Sequence, residues 1–336
     1  MALQALVTGG GGFLGGAIAR RLVERGDRVR SLARGDYPAL RAWGVETPRG
    51  DLADPGAVAR AVRGMDVVFH VAAKAGIWGS AEDYRRANVE GTRNVIEACR
   101  NAGVKTLVYT SSPCVVFNGR DMEGADESAP YPSHFDASYP ATKAEAERLV
   151  LAANGPELAT VALRPHLIWG PGDHHLVPRI LARARAGRLR RIGRGDPRID
   201  ATYVDNAADA HLLAADRLEP GSPIAGRAYF IAQGEPVPLW DLVDGILAAA
   251  GLPPVTRSLP LSVASVAAVL CETVYGALRV RSEPPLTRFM VRELATSHWF
   301  DLTAARRDLG YAPRVSTAEG LVRLAAWLRE NPDVRS

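Results

Sequence analysis

At 336 residues the chain is long enough to bury a full core, and 47% apolar with 23% charged residues is the profile of an ordinary globular protein, not a disordered or fibrous one. The 41 basic and 37 acidic residues leave a net charge of +4 with the arginines dispersed, which argues against nucleic acid as a partner. Cys99, Cys114 and Cys271 lie far apart, show no metal-ligand spacing and cannot all pair, so a reducing compartment and no metal are expected. Met1-Ala2-Leu3-Gln4 runs directly into a strand and a glycine-rich turn, leaving no room for a signal peptide; a cytoplasmic location is expected.

The first half alternates strand and helix patterns, which predicts an α/β fold: a doubly wound parallel Rossmann sheet. A strand over 2–7, a helix over 13–25 and a strand over 28–33 come first, and a third strand ends at Gly50-Asp51. The continuous apolar run 66–71 suits a central strand buried on both faces. A helix over 81–102, a strand over 105–110, a helix over 140–153 and a strand over 159–163 follow. Beyond Pro165, Gly170-Pro171-Gly172-Asp173 breaks the alternation. The organisation expected is a dinucleotide-binding domain over 1–168 with a return segment near 200–232, and a smaller C-terminal substrate-binding portion over 169–199 and 233–330. Segment 261–280 is apolar except for Glu272 and a few small polar residues. It reads as a substrate lid or core helix, or as a helix in weak contact with a membrane surface. Glu272 at mid-length argues against a span.

Gly9-Gly10-Gly11-Gly12-Phe13-Leu14-Gly15 follows the first strand and opens a helix, with Gly9, Gly12 and Gly15 three apart. Such a turn lets a diphosphate approach bare backbone and meet the free N–H groups of a helix N-terminus. The dinucleotide follows from the end of the second strand. A site for NAD places a carboxylate there; this chain has Ala33 and then Arg34, which suits the 2′-phosphate of NADP(H). Arg34 as a solvated loop residue, with Asp36 replacing the missing acid, is the other reading. Asp51 and Leu52 are expected near the adenine, and the strand-end stretch 70–73 beside the diphosphate.

Tyr139-Pro140-Ala141-Thr142-Lys143 places a phenol and an ammonium one helical turn apart, with Pro140 suited to a first turn. Carbonyl reduction needs a proton donor beside the oxygen that gains charge as hydride arrives. The ammonium, the helix dipole and an oxidised nicotinamide are expected to draw the phenol below its usual value of about 10. Ser111-Ser112 follows a strand and offers a hydroxyl to orient the substrate oxygen. Asn88 lies inside a helix, where Asn is a poor former, and is expected to bond backbone or water near Lys143, or to be an ordinary surface residue. His70 reads as strand-end packing, and His166 as facing the nicotinamide pocket.

These residues together resemble the extended short-chain dehydrogenase/reductases, and within them the 3β-hydroxysteroid dehydrogenase branch, over nearly the whole chain. The resemblance rests on Thr8-Gly9-x-x-Gly12-Phe13-Leu14-Gly15, Asp51-Leu52, His70-Val71-Ala72-Ala73, Asn88-Val89-x-Gly91-Thr92, Tyr109-Thr110-Ser111-Ser112, Tyr139-x-x-x-Lys143, Leu163-Arg164-Pro165 and Tyr203-Val204-Asp205-Asn206. It implies a catalytic set of Ser112, Tyr139, Lys143 and Asn88. It implies cofactor contacts from Ala72, Ala73, Lys74, Ser111 and Pro165, and a homodimer through paired helices. Stretches 72–80, 168–173 and 284–289 resemble the bacterial reductases of long-chain olefin biosynthesis, which act on 2-alkyl-3-oxoalkanoates. That implies a long-chain, lipid-like substrate and association with other enzymes of that route. Trp78, Trp169 and Trp299 are candidates to line alkyl channels, and Arg288, His174 or His175 to hold a carboxylate; Arg288 equally suits a structural ion pair. A 3β-hydroxysteroid dehydrogenase or related epimerase, and a dinucleotide-sensing regulator without turnover, are the competing readings.

Overall fold

The computed structural model describes residues 2–332; Met1, where the reading of the N-terminus starts, lies outside them. Strand β1 (Gln4–Thr8), helix α1 (Phe13–Arg25) and strand β2 (Arg28–Leu32) form the first unit. α1 buries Leu14, Ile18 and Leu22, spaced by four, and stops at Gly26, whose φ of 92° lets its N–H cap the Leu22 and Val23 carbonyls. β3 (Val67–His70), α2 (Gly91–Ala102), β4 (Thr106–Thr110), α3 (Ser138–Ala152) and β5 (Ala159–Pro165) continue the alternation. The chain then leaves and returns as α4 (Val204–Ala215) and β6 (Arg227–Ile231).

The six strands are all parallel, in the order β6-β5-β4-β3-β1-β2. Strand alternation sends Ala5, Val7, Phe69 and Val108 to one face, against Ile18, Leu22 and Ala207. Leu6, Val68 and Leu107 go to the other, against Val58, Val95 and Val150. The strand expected to end at Gly50 is absent. Only two isolated bridges form there, Glu46 to Arg30 and Arg49 to Ala33, because Pro48 between them has no N–H to extend a ladder.

The smaller portion has its own core of Trp169, Leu181, Tyr203, Trp240, Ile246 and Leu324. Trp169, proposed above for an alkyl channel, is 1% exposed and packs edge-on against Tyr203. Helix α5 (Leu261–Ala277) is not a core helix, since it buries only Ala264 and Ala268. Helix α6 (Arg288–Ala295) follows it, N-capped by Thr287.

One ion pair ties α3 to β5 in the interior. Arg164 donates to Glu147 from Nε at 3.0 Å and from the guanidinium tip at 2.7 Å, and the Tyr131 hydroxyl donates to the same carboxylate at 2.7 Å. Burial works against the charge, but the Arg164 hydrogen bonds and charge hold the Glu147 carboxyl below its usual value. Arg164→Met strands that carboxylate, and urea unfolding is expected to show a loss of about 3–5 kcal/mol. A loss under about 1 kcal/mol would mean that Glu147 does not depend on Arg164 for its charge.

Candidate active site

The strand order reverses between β1 and β3, and open α/β sheets bind ligands in the crevice above such a point. Here the backbone is stripped of side chains by necessity. Gly9 has φ of 72°, and a Cβ on it would lie 2.9 Å from Cα of Ala72; a Cβ on Gly15 would lie 2.2 Å from the Gly9 carbonyl oxygen. Gly12 caps α1 without any side-chain bond, so the first N–H groups of α1 face the crevice with the positive end of the helix. This bare cradle is the fit a dinucleotide diphosphate requires.

The loops around it are tied by buried hydroxyls. Thr8 Oγ1 accepts from the N–H groups of Val71 and Ala72 at 3.1 and 3.2 Å. It also bonds His70 Nδ1 at 2.9 Å, and His70 Nε2 bonds Thr92 Oγ1 at 2.9 Å. Burial, with Lys143 near, lowers His70 to about 3, so it stays neutral. Asn88 is 2% exposed inside a π-helical turn, Arg85–Glu90, a distortion frequent at functional sites. Its Oδ1 accepts from Lys74 N at 2.7 Å, and its Nδ2 donates to Lys74 O at 3.2 Å and to Thr142 Oγ1 at 3.1 Å. It therefore braces the Lys74 backbone and touches the neighbour of Lys143, with no bond to Lys143 itself.

Gly9, Gly12, Phe13, Leu14, Gly15, Arg34, Asp51, Leu52, Ala72, Ala73, Lys74, Ser111, Ser112, Tyr139 and Pro165 all line one cavity of about 750 Å³. Lys143 and Asn88 stand behind its wall. Tyr139 is the second residue of α3 and shares the cavity wall with Ser112, whose Oγ accepts from Cys114 N at 3.3 Å. Lys143 is 2% exposed; its Nζ donates to the Thr110 carbonyl at 2.6 Å and lies 4.1 Å from the Tyr109 ring centroid. Burial brings Lys143 down to about 7. Burial works against the acidified phenol expected from the spacing. It pushes Tyr139 well above its usual value, with nearby Ser112 opposing, while the Lys143 ammonium is engaged with a carbonyl and a ring.

Other expectations shift. His166 does not line the cavity: it is buried, bonded through Nδ1 to Asp200 O at 2.9 Å and through Nε2 to His298 Nδ1 at 3.0 Å. Arg288 makes the structural ion pair, to Glu272 at 2.6 Å. His175 borders the cavity, whereas His174 opens on a neighbouring depression with Gly10 and Arg20. Asp36 is held by Arg41 and, at 3.3 Å, by Arg49, and the Arg41 hydrogen bond lowers its carboxyl. Three nearby groups escaped the sequence reading. Arg49 reaches the end of β2 through its bridge to Ala33. Glu147 continues the 139, 143 stripe one turn further, a signal that was present in the spacing. Glu293, on α6, acts electrostatically on Tyr139 and Cys114, and burial raises it to about 7; no local motif marks it.

A dinucleotide cradle and a hydroxyl pair on one cavity, in a doubly wound parallel sheet, define an oxidoreductase acting on CH–OH and C=O groups. The dTDP-glucose 4,6-dehydratase DesIV of Streptomyces venezuelae, a double mutant solved with NAD bound, shares the fold with a TM-score of 0.76 at 25% identity, over 98% of each chain. A 2-alkyl-3-oxoalkanoate reductase of Stenotrophomonas maltophilia (strain K279a) is 55% identical over 96% of this chain and 99% of its own. One from Shewanella oneidensis is 49% identical over 97% and 86%. A 3-beta-hydroxysteroid dehydrogenase of Mycolicibacterium neoaurum is 36% identical over 95% and 89%. The 3-beta hydroxysteroid dehydrogenase/isomerase family matches residues 6–261, and the chain belongs to that family.

The buried ammonium has a consequence for stability. Lys143 binds fewer protons folded than unfolded between about 7 and its ordinary 10.5, so it destabilises the fold below that window and ceases to do so as pH rises through it. Relative to Lys143→Met, the cofactor-free wild type should therefore gain stability from about pH 7 upward in urea titrations. Parallel pH profiles for the two proteins would show that the ammonium keeps an ordinary pKa.

Proposed function

We propose that this chain is an NADPH-dependent carbonyl reductase that converts a long-chain 2-alkyl-3-oxoalkanoate to the 2-alkyl-3-hydroxyalkanoate, reversibly, with Tyr139 as proton donor. The observation that carries the reading is that the Ser112 and Tyr139 side chains line the same cavity as the glycine turn. The substrate class is supported by the two relatives at 55% and 49% identity that bear it in their names.

When bound, the dinucleotide supplies a hydride to the carbonyl carbon at C3. Tyr139 gives its hydroxyl proton to the C3 oxygen as negative charge gathers there. A phenol kept protonated by burial is the right state for that direction, and the reverse direction needs the phenolate. Ser112 Oγ, held by Cys114 N, orients the same oxygen against Tyr139. Lys143 lies one turn behind Tyr139, and its charge favours the phenolate left after transfer. Asn88 and Thr8 do not touch the reacting atoms; they fix the loop backbone on which the cofactor rests.

The preference for NADPH rests on β2 ending without a carboxylate. Arg34 opens on the cavity, Arg49 stands beside Ala33, and Asp36 is neutralised by Arg41 and Arg49. Charge-assisted bonds to a 2′-phosphate are worth roughly 1.5–3 kcal/mol each, about 10- to 100-fold in affinity. Arg34→Ala should weaken NADPH binding by that factor and leave NADH nearly unchanged in fluorescence titrations. Equal losses would show that Arg34 does not read the phosphate.

Tyr139→Phe should lower kcat by about 10²- to 10⁴-fold, measured as NADPH oxidation with a racemic 2-alkyl-3-oxo acid, with cofactor affinity nearly intact. Turnover within about tenfold of wild type would remove Tyr139 from the proton-donor role. NAD⁺ reduction by a 3β-hydroxysteroid, with no NADPH oxidation by the oxo acid, would replace the substrate assignment.

A further inference from the structure

Helix α5 presents its apolar side chains outward. Ala264 and Ala268 face in, packed with Ile192 and Val291. Val263, Val266, Val269, Leu270 and Val274 face out on one stripe, continued by Leu278. Val266, Leu270 and Leu278 are 62%, 60% and 70% exposed. The acid of the helix, Glu272, is turned to Arg288, accepting from its backbone N–H at 2.8 Å and its Nε at 2.6 Å. The stripe therefore carries no negative charge.

Cations frame both ends. The pairing of Ser258 and Leu259 with Arg191 and Ile192 brings exposed Arg257 and Arg194 to the N-terminal end, and exposed Arg279 and Arg281 follow the C-terminal end. None of these four is ion-paired among the described residues. No helix among the described residues is long and apolar enough to cross a membrane. An apolar stripe about 25 Å long with arginines at its ends matches one surface chemistry: acyl chains beneath anionic headgroups.

We propose that α5 lies flat on an anionic lipid bilayer, its Val/Leu stripe among the acyl chains and Arg194, Arg257, Arg279 and Arg281 on the lipid phosphates. One loop runs from the cavity to this helix. Trp78 donates from Nε1 to Val280 O at 3.0 Å and meets Tyr275 edge-on, with ring centroids 6.3 Å apart, and Ala72–Ala75 at the start of the same loop line the cavity. Under the function proposed above, on which this relevance rests, an acid with two long alkyl chains resides in a bilayer rather than in water, and the docked helix places the cavity beside it.

The test is co-sedimentation of the full chain with phosphatidylglycerol/phosphatidylcholine vesicles and with pure phosphatidylcholine vesicles, with size-exclusion in parallel. Wild type should pellet with the anionic vesicles and far less with the neutral ones. Val266→Glu/Leu270→Glu should cut the partition at least about tenfold, and Arg279→Glu/Arg281→Glu several-fold in a salt-sensitive way. Both variants should keep wild-type turnover of a short-chain, water-soluble 2-alkyl-3-oxo acid, which shows them folded. The proposal falls if wild type stays in the supernatant or if Val266→Glu/Leu270→Glu pellets equally. It falls too if that variant only turns a dimer into a monomer, since a second copy would then cover the stripe. Pelleting needs no turnover, so a failed reductase assay overturns the function and leaves this inference standing, and the converse holds as well.

Discussion

Everything at the cofactor end follows from the close approach of two loops that leave the sheet in opposite directions. Above β1 the chain turns toward β2, and above β3 it turns toward α2, so both loops hold backbone donors outside any ladder. Thr8 is the device that joins them, its one hydroxyl taking two N–H groups and a histidine nitrogen. The approach is so tight that only glycine fits at position 9, and the same absence of side chains leaves backbone donors bare for a diphosphate. Packing and ligand binding impose one requirement there, which is why a substitution at Gly9 or Gly15 affects both.

The corner around Tyr139 and Lys143 is governed by burial as much as by proximity. Positions 139, 143 and 147 share one face of α3, so a phenol, an ammonium and a carboxylate lie in line from the cavity into the interior. Each is handled differently. Glu147 is fully paired by Arg164 and stays charged; Lys143 has only a carbonyl and a ring and drops to about 7; Tyr139 is driven the other way. Under the function proposed above, the Lys143 charge, disfavoured by burial, gains most when a phenolate forms beside it, which is the differential stabilisation a proton-transfer step requires. Glu293, supplied by the smaller portion of the chain, is a second group that burial brings near neutrality.

Sequence made the cofactor half legible because strand, glycine turn and helix are consecutive there. The parallel sheet, the positions of α1 and β3 and the residues of the cradle all follow from local pattern. The Tyr139–Lys143 spacing is local too. What depends on distant contacts was not legible. Pro48 removes a strand that the alternation predicted, Trp169 fills a core instead of a channel, and His166 is drawn away by His298, 132 residues further on. Arg49 and Glu293 come to the site only through tertiary contacts, so their own neighbours in the chain carry no signal. Glu147 is different: its spacing was visible, and a longer view along the helix face finds it.

Helix α5 shows the sharper limit of pattern reading. A helix apolar on every side is normally a buried one, and periodicity alone does not separate that from a helix whose outer face meets lipid. Only packing does, and packing here is slight: two alanines, one ion pair through Glu272, and the nearby bond from Trp78 to Val280. Elements held by so few buried contacts open at lower cost than a six-stranded sheet. The glycine cradle is therefore built on the six-stranded sheet, while α5 is held by few buried contacts. Under the function proposed above, a reductase that holds hydride and proton donors rigid yet admits long alkyl chains draws on those two properties from separate parts of the chain.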